Sequence, residues 1–337
     1  MSNPTEKPLK PAVILGTMTF GYRENPRIND PEVVQQILDI FRGFGHDELD
    51  TARGYCDGST EELLGDLEVV TKQNFKIATK VTPQIKKSGK SPIEIIEDLS
   101  QSSLAALKVP KVDLLYLHAP DHTTPIEITL KGVQQVYEKG LFKELGLSNF
   151  TAWQVAEVYY ICKHNGYVLP TVYQGMVRCI SLYAITRDVE HELFSALRKF
   201  GIRFYAYNPL AGGLFAGKFT SLDSEVEKGS RFDPNLEFGR MYRERYGREA
   251  YFEAINSLSS VVAKHNISTV EAGLRWINHH GKLDANRGDA IIIGASSVKH
   301  ARENLEFLEK GPLPDDIVQA FDETWHKVKP FVPPYFR

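Results

Sequence analysis

The first βα junction of the chain reads Val13-Ile14-Leu15-Gly16-Thr17-Met18-Thr19-Phe20-Gly21. An open, doubly wound sheet that binds a dinucleotide needs G-x-G-x-x-G here, because those glycines let the backbone approach the pyrophosphate. In this chain Gly16 and Gly21 are the only glycines of the junction. The fingerprint is absent, which disfavours an open sheet for the strands that follow.

Short apolar runs alternate with amphipathic helical stretches along most of the chain. The strand candidates are Val13–Leu15, Glu48–Asp50, Phe75–Lys80, Val112–His118, Glu144–Ser148, Val172–Gln174, Arg203–Tyr207 and Ala290–Ile293. The helical patterns are Pro31–Arg42, Ile93–Lys108, Ile126–Lys139, Ala152–Asn165, Asp188–Phe200, Ser268–His279 and Val298–Leu308. This alternation predicts parallel strands, because each parallel pair needs a crossover of about a dozen residues. Eight such units without the fingerprint predict an α/β fold closed into a (β/α)8 TIM barrel.

Local signals mark three helix starts. The tetrapeptide Ser59-Thr60-Glu61-Glu62 predicts a capping box, in which a hydroxyl and a later carboxylate satisfy free backbone amides. Asp30-Pro31 and Thr124-Pro125 each predict a proline at the first helical position.

The length of the chain exceeds that of a plain barrel. A (β/α)8 barrel typically needs about 250 of the 337 residues. The segment from Pro209 to about His265 is too long for a simple loop and helix, and loops of this length are usually functional or disordered. We therefore expect one barrel domain over residues 1–337, with a long insertion after strand 7 and a C-terminal tail.

The composition is that of an ordinary globular protein, with 42% hydrophobic and 25% charged residues and a net charge of -3. Nothing in that charge favours nucleic acid or an anionic membrane as a partner. Three cysteines without metal-like spacing favour a reducing compartment. No stretch reads as a signal peptide or reaches the ~18 apolar residues of a membrane helix. We expect a cytoplasmic protein.

Four ionisable side chains lie at the last positions of predicted strands or in the loop that follows one, where a barrel carries its active face. They are Asp50, Tyr55, Lys80 and His118. Taken singly, each has a plain structural explanation, such as a helix cap, a solvated strand end or a core histidine. Together they suit acid catalysis, because an ammonium paired with a carboxylate brings a tyrosine of pKa near ~10 within reach of proton transfer. The set predicts proton donation to a carbonyl oxygen while another group delivers hydride.

Several blocks resemble the signature sequences of the aldo-keto reductases, and the resemblance runs nearly end to end. The shorter blocks are Leu49-Asp50-Thr51-Ala52-Arg53-Gly54-Tyr55, Lys80, Leu115-Tyr116-Leu117-His118 and Gly146-Leu147-Ser148-Asn149. Longer blocks resemble the aflatoxin-aldehyde, or succinic semialdehyde, reductase branch. These are Tyr116–His122, Leu169–Met176, Phe204–Gly213 and the terminal Tyr335-Phe336-Arg337.

The resemblance implies a (β/α)8 barrel that uses NADPH to reduce aldehydes or ketones, with a small carbonyl compound as substrate. It assigns proton donation to Tyr55, tuning of that proton to Lys80 and Asp50, and a place over the substrate carbonyl to His118. No metal is expected. Branch members include dimers, so a homodimer is one option for the oligomeric state.

The resemblance also implies the cofactor contacts. Ser148, Asn149 and Gln174 would bind the nicotinamide carboxamide, and Tyr207 would stack on the ring. The loop Asn208–Lys218 would fold over the pyrophosphate, through Asn208, Pro209, Leu210, Gly212, Gly213, Gly217 and Lys218. The adenosine end would lie at Ser296, Lys299, His300, Arg302, Glu303 and Asn304, with the side chain that holds the 2′-phosphate left open.

Substrate contacts are expected from the insertion and the tail. Tyr242 and Arg245 would border the pocket, and Arg337 would help hold an acidic substrate. The alternative is a solvated helix face over Arg240–Tyr251.

Other functions have weaker support. Gly212-x-x-x-x-Gly217-Lys218 lacks the hydroxyl residue that a P-loop needs after its lysine, because Phe219 occupies that place. His118, Asp121 and His122 have a ligand-like spacing, but they follow a strand rather than lie on a helix. The remaining alternative is an NADPH-binding regulatory subunit with little turnover.

Overall fold

Eight parallel strands close into a barrel in chain order, and the last strand pairs with the first. The computed structural model describes residues 9–23, 26–82, 90–176, 192–217, 219–332 and 334–336. The strands are β1 (Ala12–Gly16), β2 (Glu48–Asp50), β3 (Lys76–Val81), β4 (Val112–Leu117), β5 (Phe142–Ser148), β6 (Pro170–Met176), β7 (Arg203–Tyr207) and β8 (Ala290–Gly294). The predicted (β/α)8 barrel is confirmed, and the strand predictions differ from these bounds only at their ends.

Helices follow the strands and form the outer layer. Those in the described ranges are α1 (Pro31–Gly43), α2 (Ser59–Asp66), α3 (Pro92–Leu107), α4 (Ile126–Glu138), α5 (Ala152–Asn165), α6 (Leu193–Phe200), α7 (Glu237–Tyr246), α8 (Glu249–Ala263), α9 (Thr269–His279), α10 (Val298–Glu309) and α11 (Asp315–Val328). Short 3-10 turns cover Tyr55–Gly58, Ala211–Ala216, Ala285–Arg287 and Lys329–Phe331. Along the described ranges, no helix combines the length and apolarity needed to cross a membrane.

The helix-start predictions have mixed outcomes. Asp30 caps α1 and Pro31 is its first residue, as predicted. Pro125 is instead the cap of α4, one position earlier than predicted. The capping box at Ser59 is wrong: Gly58 precedes α2 in a left-handed conformation, and the Ser59 hydroxyl accepts the backbone N–H groups of Tyr22 and Arg23.

The barrel interior is filled by alternate side chains of the strands, as the two-residue period requires. Its apolar centre contains Ile14, Leu114, Tyr116, Val172, Tyr205 and Ile292. The Tyr116 ring fills the space that a side chain of β5 would otherwise take, since a Cβ on Gly146 would lie 2.3 Å from it. The opposite strand faces pack against the helices in a larger apolar cluster.

The insertion after β7 is a folded segment with its own aromatic contacts. Phe219 stacks on Phe232 at 4.4 Å, and Phe232 meets the rings of Tyr242 and Tyr246 edge-on. Tyr242 is 8% exposed and Tyr246 is fully buried, so the alternative of a solvated face is wrong for these aromatic positions. Arg27, in the loop after β1, forms a 3.2 Å ion pair with Glu227 of the insertion.

The loop after β2 carries Tyr55 in an uncommon backbone conformation. Cys56, Asp57 and Gly58 have φ angles of 47°, 51° and 79°, a region that suits glycine best. Arg53 lies beneath this loop and pairs at 2.7 Å with Glu61, which is fully buried. Because a Cβ on Gly58 would lie 1.7 Å from the Arg53 guanidinium, the turn that presents Tyr55 depends on this glycine.

Gly58→Ala should therefore lower the free energy of unfolding by at least about 2 kcal/mol, through backbone strain and the displacement of Arg53 from buried Glu61. Gly54→Ala in the same loop is the matched control, because Gly54 has φ -81° and open space around its Cβ position. The control should change stability by less than about 0.5 kcal/mol. Urea unfolding of both variants measures the difference, and equal losses would contradict this account.

Glu48 is the first residue of β2, at the amino end of the barrel strands and two residues before Asp50. Burial raises the pKa of its carboxyl to about 7, and the Asp50 charge acts in the same direction, against Arg203 and Lys76. A folded-state pKa above the ordinary 4.5 means that the folded protein favours the neutral acid. The stability that the Glu48 carboxyl contributes is fully present below about pH 4.5 and is lost as the pH rises through about 7.

Glu48→Gln keeps the neutral shape at every pH. At about pH 8.5 we expect the free energy of unfolding of the variant to exceed that of the wild type by about 2 kcal/mol, a figure reduced for screening by water. At about pH 4 the two proteins should have almost the same free energy of unfolding. Glu306→Gln, at an exposed position of α10, is the control and should show the same small difference at both pH values. A Glu48→Gln effect that is independent of pH would refute the interpretation.

Candidate active site

The four predicted catalytic side chains meet at the carboxyl end of the barrel. Asp50 is the last residue of β2, Lys80 lies near the end of β3, and His118 follows β4 directly. Lys80 Nζ donates to Asp50 Oδ1 at 2.5 Å, to the Thr51 carbonyl at 2.8 Å and to Tyr55 Oη at 3.2 Å. A single buried ammonium thus joins the carboxylate to the phenol.

Burial and the neighbouring charges act in opposite directions on the pKa of Tyr55. Burial raises the pKa of Tyr55, and the Lys80 charge and hydrogen bond lower it while the Asp50 charge raises it. Burial would lower the pKa of Lys80, but Asp50 and Tyr55 together raise it, so Lys80 stays an ammonium. Burial raises the pKa of Asp50, with Lys80 and Gln174 opposing the change. The Tyr55 phenol therefore remains protonated, and its oxygen accepts a hydrogen bond from the Lys80 ammonium.

His118 lies beside Tyr55, with ring centroids 5.9 Å apart and planes at 81°. Its backbone is fixed on both sides, because its N–H donates to Val81 of β3 and its carbonyl accepts at 2.7 Å from Nδ2 of Asn149, which follows β5. The two rings form a polar corner above the end of the barrel, where a carbonyl oxygen could reach both.

The predicted nicotinamide residues cluster next to this corner. Asn149 has a left-handed backbone, which asparagine tolerates, and is 3% exposed. Its Nδ2 also donates to Ser148 Oγ at 3.0 Å, and its Oδ1 accepts from the Tyr207 hydroxyl at 3.1 Å. Gln174 Nε2 donates to Asp50 Oδ2 at 2.6 Å. The structure brings all four together, but it also ties Gln174 directly to Asp50.

The predicted phosphate loop follows β7. Asn208, its first residue, donates to the Tyr246 hydroxyl of α7 at 3.0 Å and accepts from the Gly212 N–H within the loop at 2.8 Å. Pro209 is buried and Leu210 packs half-buried on the core. Gly213 and Gly217 have positive φ angles, and their Cβ positions face open space, so their backbone is accessible to a ligand. Lys218 lies outside the described residues.

The predicted adenosine end lies at the start of α10. Ser297 caps this helix through the His300 N–H, and Ser296 Oγ lies 2.9 Å from His300 Nδ1. Lys299 and Arg302 are exposed, with Lys299 3.7 Å from Glu303. Buried Asn304 donates to the Gly294 carbonyl at 3.1 Å. The cations therefore surround a helix N-terminus, a favourable place for a phosphate.

These parts fit a phosphorylated dinucleotide. A cleft of about 420 Å³ beside the helix is lined by Arg27, Asp30, Ser296, Ser297 and Lys299, among others. The donor set changes along the site from carboxamide partners near Asp50, through open glycine backbone, to cations at α10. That order matches a nicotinamide, a pyrophosphate and an adenosine phosphate.

The predicted substrate residues sit on α7 above the barrel mouth. The Tyr242 ring lies over the Gly212 backbone, where a Cβ would be 2.3 Å from it. Arg245 donates to the sulfur of Met176, at the end of β6, at 3.7 Å. Arg337 lies outside the described residues.

Sequence reasoning missed two cations. Arg231 of the insertion lies 5.7 Å from the Tyr242 ring, and its charge lowers the pKa of Tyr55. Arg27 lines the cleft near α10. Neither has a motif or strand-end position that would identify it, because each reaches the site through a loop.

The metal alternative gains nothing from the described side chains. They include no group of three or more His, Cys, Asp or Glu arranged to hold a metal ion. Asp121 instead accepts hydrogen bonds from Thr123 and Thr124 within its own loop.

Comparisons with known proteins agree with this architecture. Residues 12–326 match the model of the Aldo/keto reductase family. Aflatoxin B1 aldehyde reductase member 2 of Mus musculus is 44% identical, over 98% of this chain and 89% of its own length. Aldo-keto reductase family 7 member A3 of Homo sapiens is 43% identical, over 97% and 98%.

A solved structure extends the comparison to the fold. The glycerol dehydrogenase AKR11B4 from Gluconobacter oxydans superposes with a TM-score of 0.68 at 22% identity, covering 96% of this chain and 94% of its own. The family match spans the barrel strands and the tetrad of Asp50, Tyr55, Lys80 and His118 alike, and this chain is therefore an oxidoreductase belonging to the aldo/keto reductase family.

Proposed function

We propose that this protein is an NADPH-dependent reductase of aldehydes, with Tyr55 as the proton donor. The observation that carries the proposal is the Lys80 ammonium 3.2 Å from Tyr55 Oη and 2.5 Å from Asp50. The similarity to named aldehyde reductases supports the substrate class.

The side chains act on a carbonyl in defined ways. Lys80 donates to Tyr55 Oη, which leaves the phenolic O–H free to donate to the substrate oxygen. Reduced nicotinamide, when bound, supplies the hydride for the carbonyl carbon. As negative charge develops on the oxygen, Tyr55 releases its proton and Lys80 stabilises the phenolate that remains. His118, beside Tyr55, orients the carbonyl oxygen between the two rings.

The cofactor proposal rests on the order of donors along the site. Ser148, Asn149 and Gln174 would hold the carboxamide, and Tyr207 would stack on the ring. The loop from Asn208 to Lys218 would cover the pyrophosphate. At the start of α10, Ser296, Lys299, His300 and Arg302 would bind the 2′-phosphate, with Glu303 and Asn304 on the adenine.

We propose that the insertion favours carbonyl compounds that carry an anionic group. Arg231 and Arg245 present positive charge at the barrel mouth, and Arg231 is near enough to Tyr55 to affect its pKa. Tyr242 provides an aromatic wall between them, and Arg337 of the tail would add a further charge. Measuring kcat/KM with carboxylated and with uncharged aldehydes of equal size tests this preference directly.

The alternative of a cofactor-binding regulatory subunit is distinguished by turnover. The complete tetrad and its short hydrogen bonds favour an enzyme, because a regulatory role needs no acid at Tyr55. A location in the cytoplasm and a homodimer remain part of the proposal; fractionation and sedimentation test them.

The decisive experiment follows NADPH absorbance with a panel of aldehydes, with and without a carboxylate. Tyr55→Phe should lower kcat at least about 100-fold while NADPH binding is unchanged, because only the acid is lost. Tyr160→Phe, at an exposed tyrosine of α5, is the control and should match the wild type. Full turnover by Tyr55→Phe would refute the mechanism, and wild-type protein that binds NADPH without turnover would favour the regulatory alternative.

The phosphate site predicts a preference between cofactors. Lys299→Ala and Arg302→Ala should each weaken NADPH binding by about tenfold, because each removes a charge-assisted contact, and should leave NADH binding nearly unchanged. Fluorescence titration gives both dissociation constants, with Glu306→Gln on the same helix as control. Equal weakening of the two cofactors would place the 2′-phosphate elsewhere.

A further inference from the structure

Asp50 is held by donors from two different strands. Lys80 of β3 donates to Oδ1 at 2.5 Å, and Gln174 of β6 donates to Oδ2 at 2.6 Å. Asp50 is 4% exposed, Lys80 1% and Gln174 3%, so water does not replace either donor. The second carboxylate oxygen therefore depends on Gln174.

The amide of Gln174 can take only one orientation. An ionised carboxylate is an acceptor only, so the NH2 group must face Asp50 and the carbonyl oxygen must face away. The buried Tyr116 hydroxyl also lies near this amide, which lowers the pKa of that phenol against the large rise caused by burial. Gln174 is thus placed between the tetrad and the centre of the barrel.

We propose that Gln174 is a positioning residue for Asp50: it holds the second carboxylate oxygen, so that Lys80 is shared with Tyr55 and not drawn wholly onto Asp50. This inference rests on the proposed function, since it concerns the proton that Tyr55 donates. It is separate from the expected contact of Gln174 with the nicotinamide carboxamide, which would use the opposite, carbonyl end of the amide.

Charge balance explains why this second donor matters. The Asp50 charge raises the pKa of Tyr55, whereas Lys80 lowers it. A hydrogen bond from Gln174 stabilises the carboxylate and thereby weakens its hold on Lys80.

The other ionisable groups around this point come from separate elements. Asp50, Tyr205 of β7 and Glu48 of β2 each add to the rise that burial causes in the pKa of Tyr116 of β4. Arg231 of the insertion acts on Tyr55 from above. These groups are present in every variant below, so differences between the variants report the Gln174 position.

Two substitutions separate the positioning role from cofactor binding. Gln174→Met fills the space without a donor, and with saturating NADPH we expect kcat to fall about tenfold at all pH values. Gln174→Glu supplies an O–H donor at low pH and a second carboxylate at high pH. Its kcat relative to wild type should fall at least about tenfold between about pH 5.5 and pH 8.5.

Ser148→Ala is the comparator, because Ser148 shares the expected carboxamide contact and no hydrogen bond links it to Asp50 in the described part of the chain. It should weaken NADPH binding, and any fall in its kcat should be of the same size at about pH 5.5 and about pH 8.5, because the lost hydroxyl does not titrate in this range. If Gln174→Glu gives the same profile as Ser148→Ala, the positioning role is overturned.

A second readout needs no turnover. In the apo protein, we expect burial and repulsion from Asp50 together to raise the folded-state pKa of the new carboxyl in Gln174→Glu, so that the stability it contributes is lost as the pH rises. The melting temperature of this variant relative to Gln174→Met should therefore fall from about pH 5.5 to pH 8.5. Parallel melting curves would overturn the contact with Asp50, whereas inactive wild-type protein with diverging curves would overturn the proposed function alone.

Discussion

A buried ammonium determines how this site is built. Lys80 is 1% exposed, and a charge in such a position is costly unless every donor has an acceptor. Its three acceptors come from Asp50, the Thr51 carbonyl and Tyr55, which all lie on β2 or the loop after it. The parallel pairing of β2 with β3 brings these groups together, so the barrel itself meets the requirement of the charge.

The need of buried charged groups for hydrogen-bond partners also applies across the barrel. Asp50 needs a second donor and finds it in Gln174 of β6, while the absence of a side chain at Gly146 leaves space for the Tyr116 ring beneath them. On the opposite side, the insertion brings Arg231 toward Tyr55. Proton chemistry at Tyr55 therefore depends on groups from strands and loops that are far apart along the chain.

Local sequence signals succeeded where backbone periodicity decided the outcome and failed where a side chain had another partner. Glu48–Asp50 and Arg203–Tyr207 were predicted with their observed bounds, because short β-rich runs between helical patterns leave little choice. The capping box at Ser59 was wrong, since the Ser59 hydroxyl serves the distant backbone of Tyr22 and Arg23. Glu62, the carboxylate of that predicted box, instead pairs with Arg23 at 2.7 Å.

The sequence by itself determined the eightfold strand–helix order, the strand-end positions of Asp50, Lys80 and His118, and the resemblance that pointed to the aldo-keto reductases. These depend on neighbours along the chain or on motifs of a few residues. Only the tertiary structure decided that Gln174 contacts Asp50, that Arg231 acts on Tyr55, and that Tyr242 packs on Gly212. The physical reason is that closure of the barrel and the path of the insertion set these distances, and neither leaves a periodic trace in the sequence.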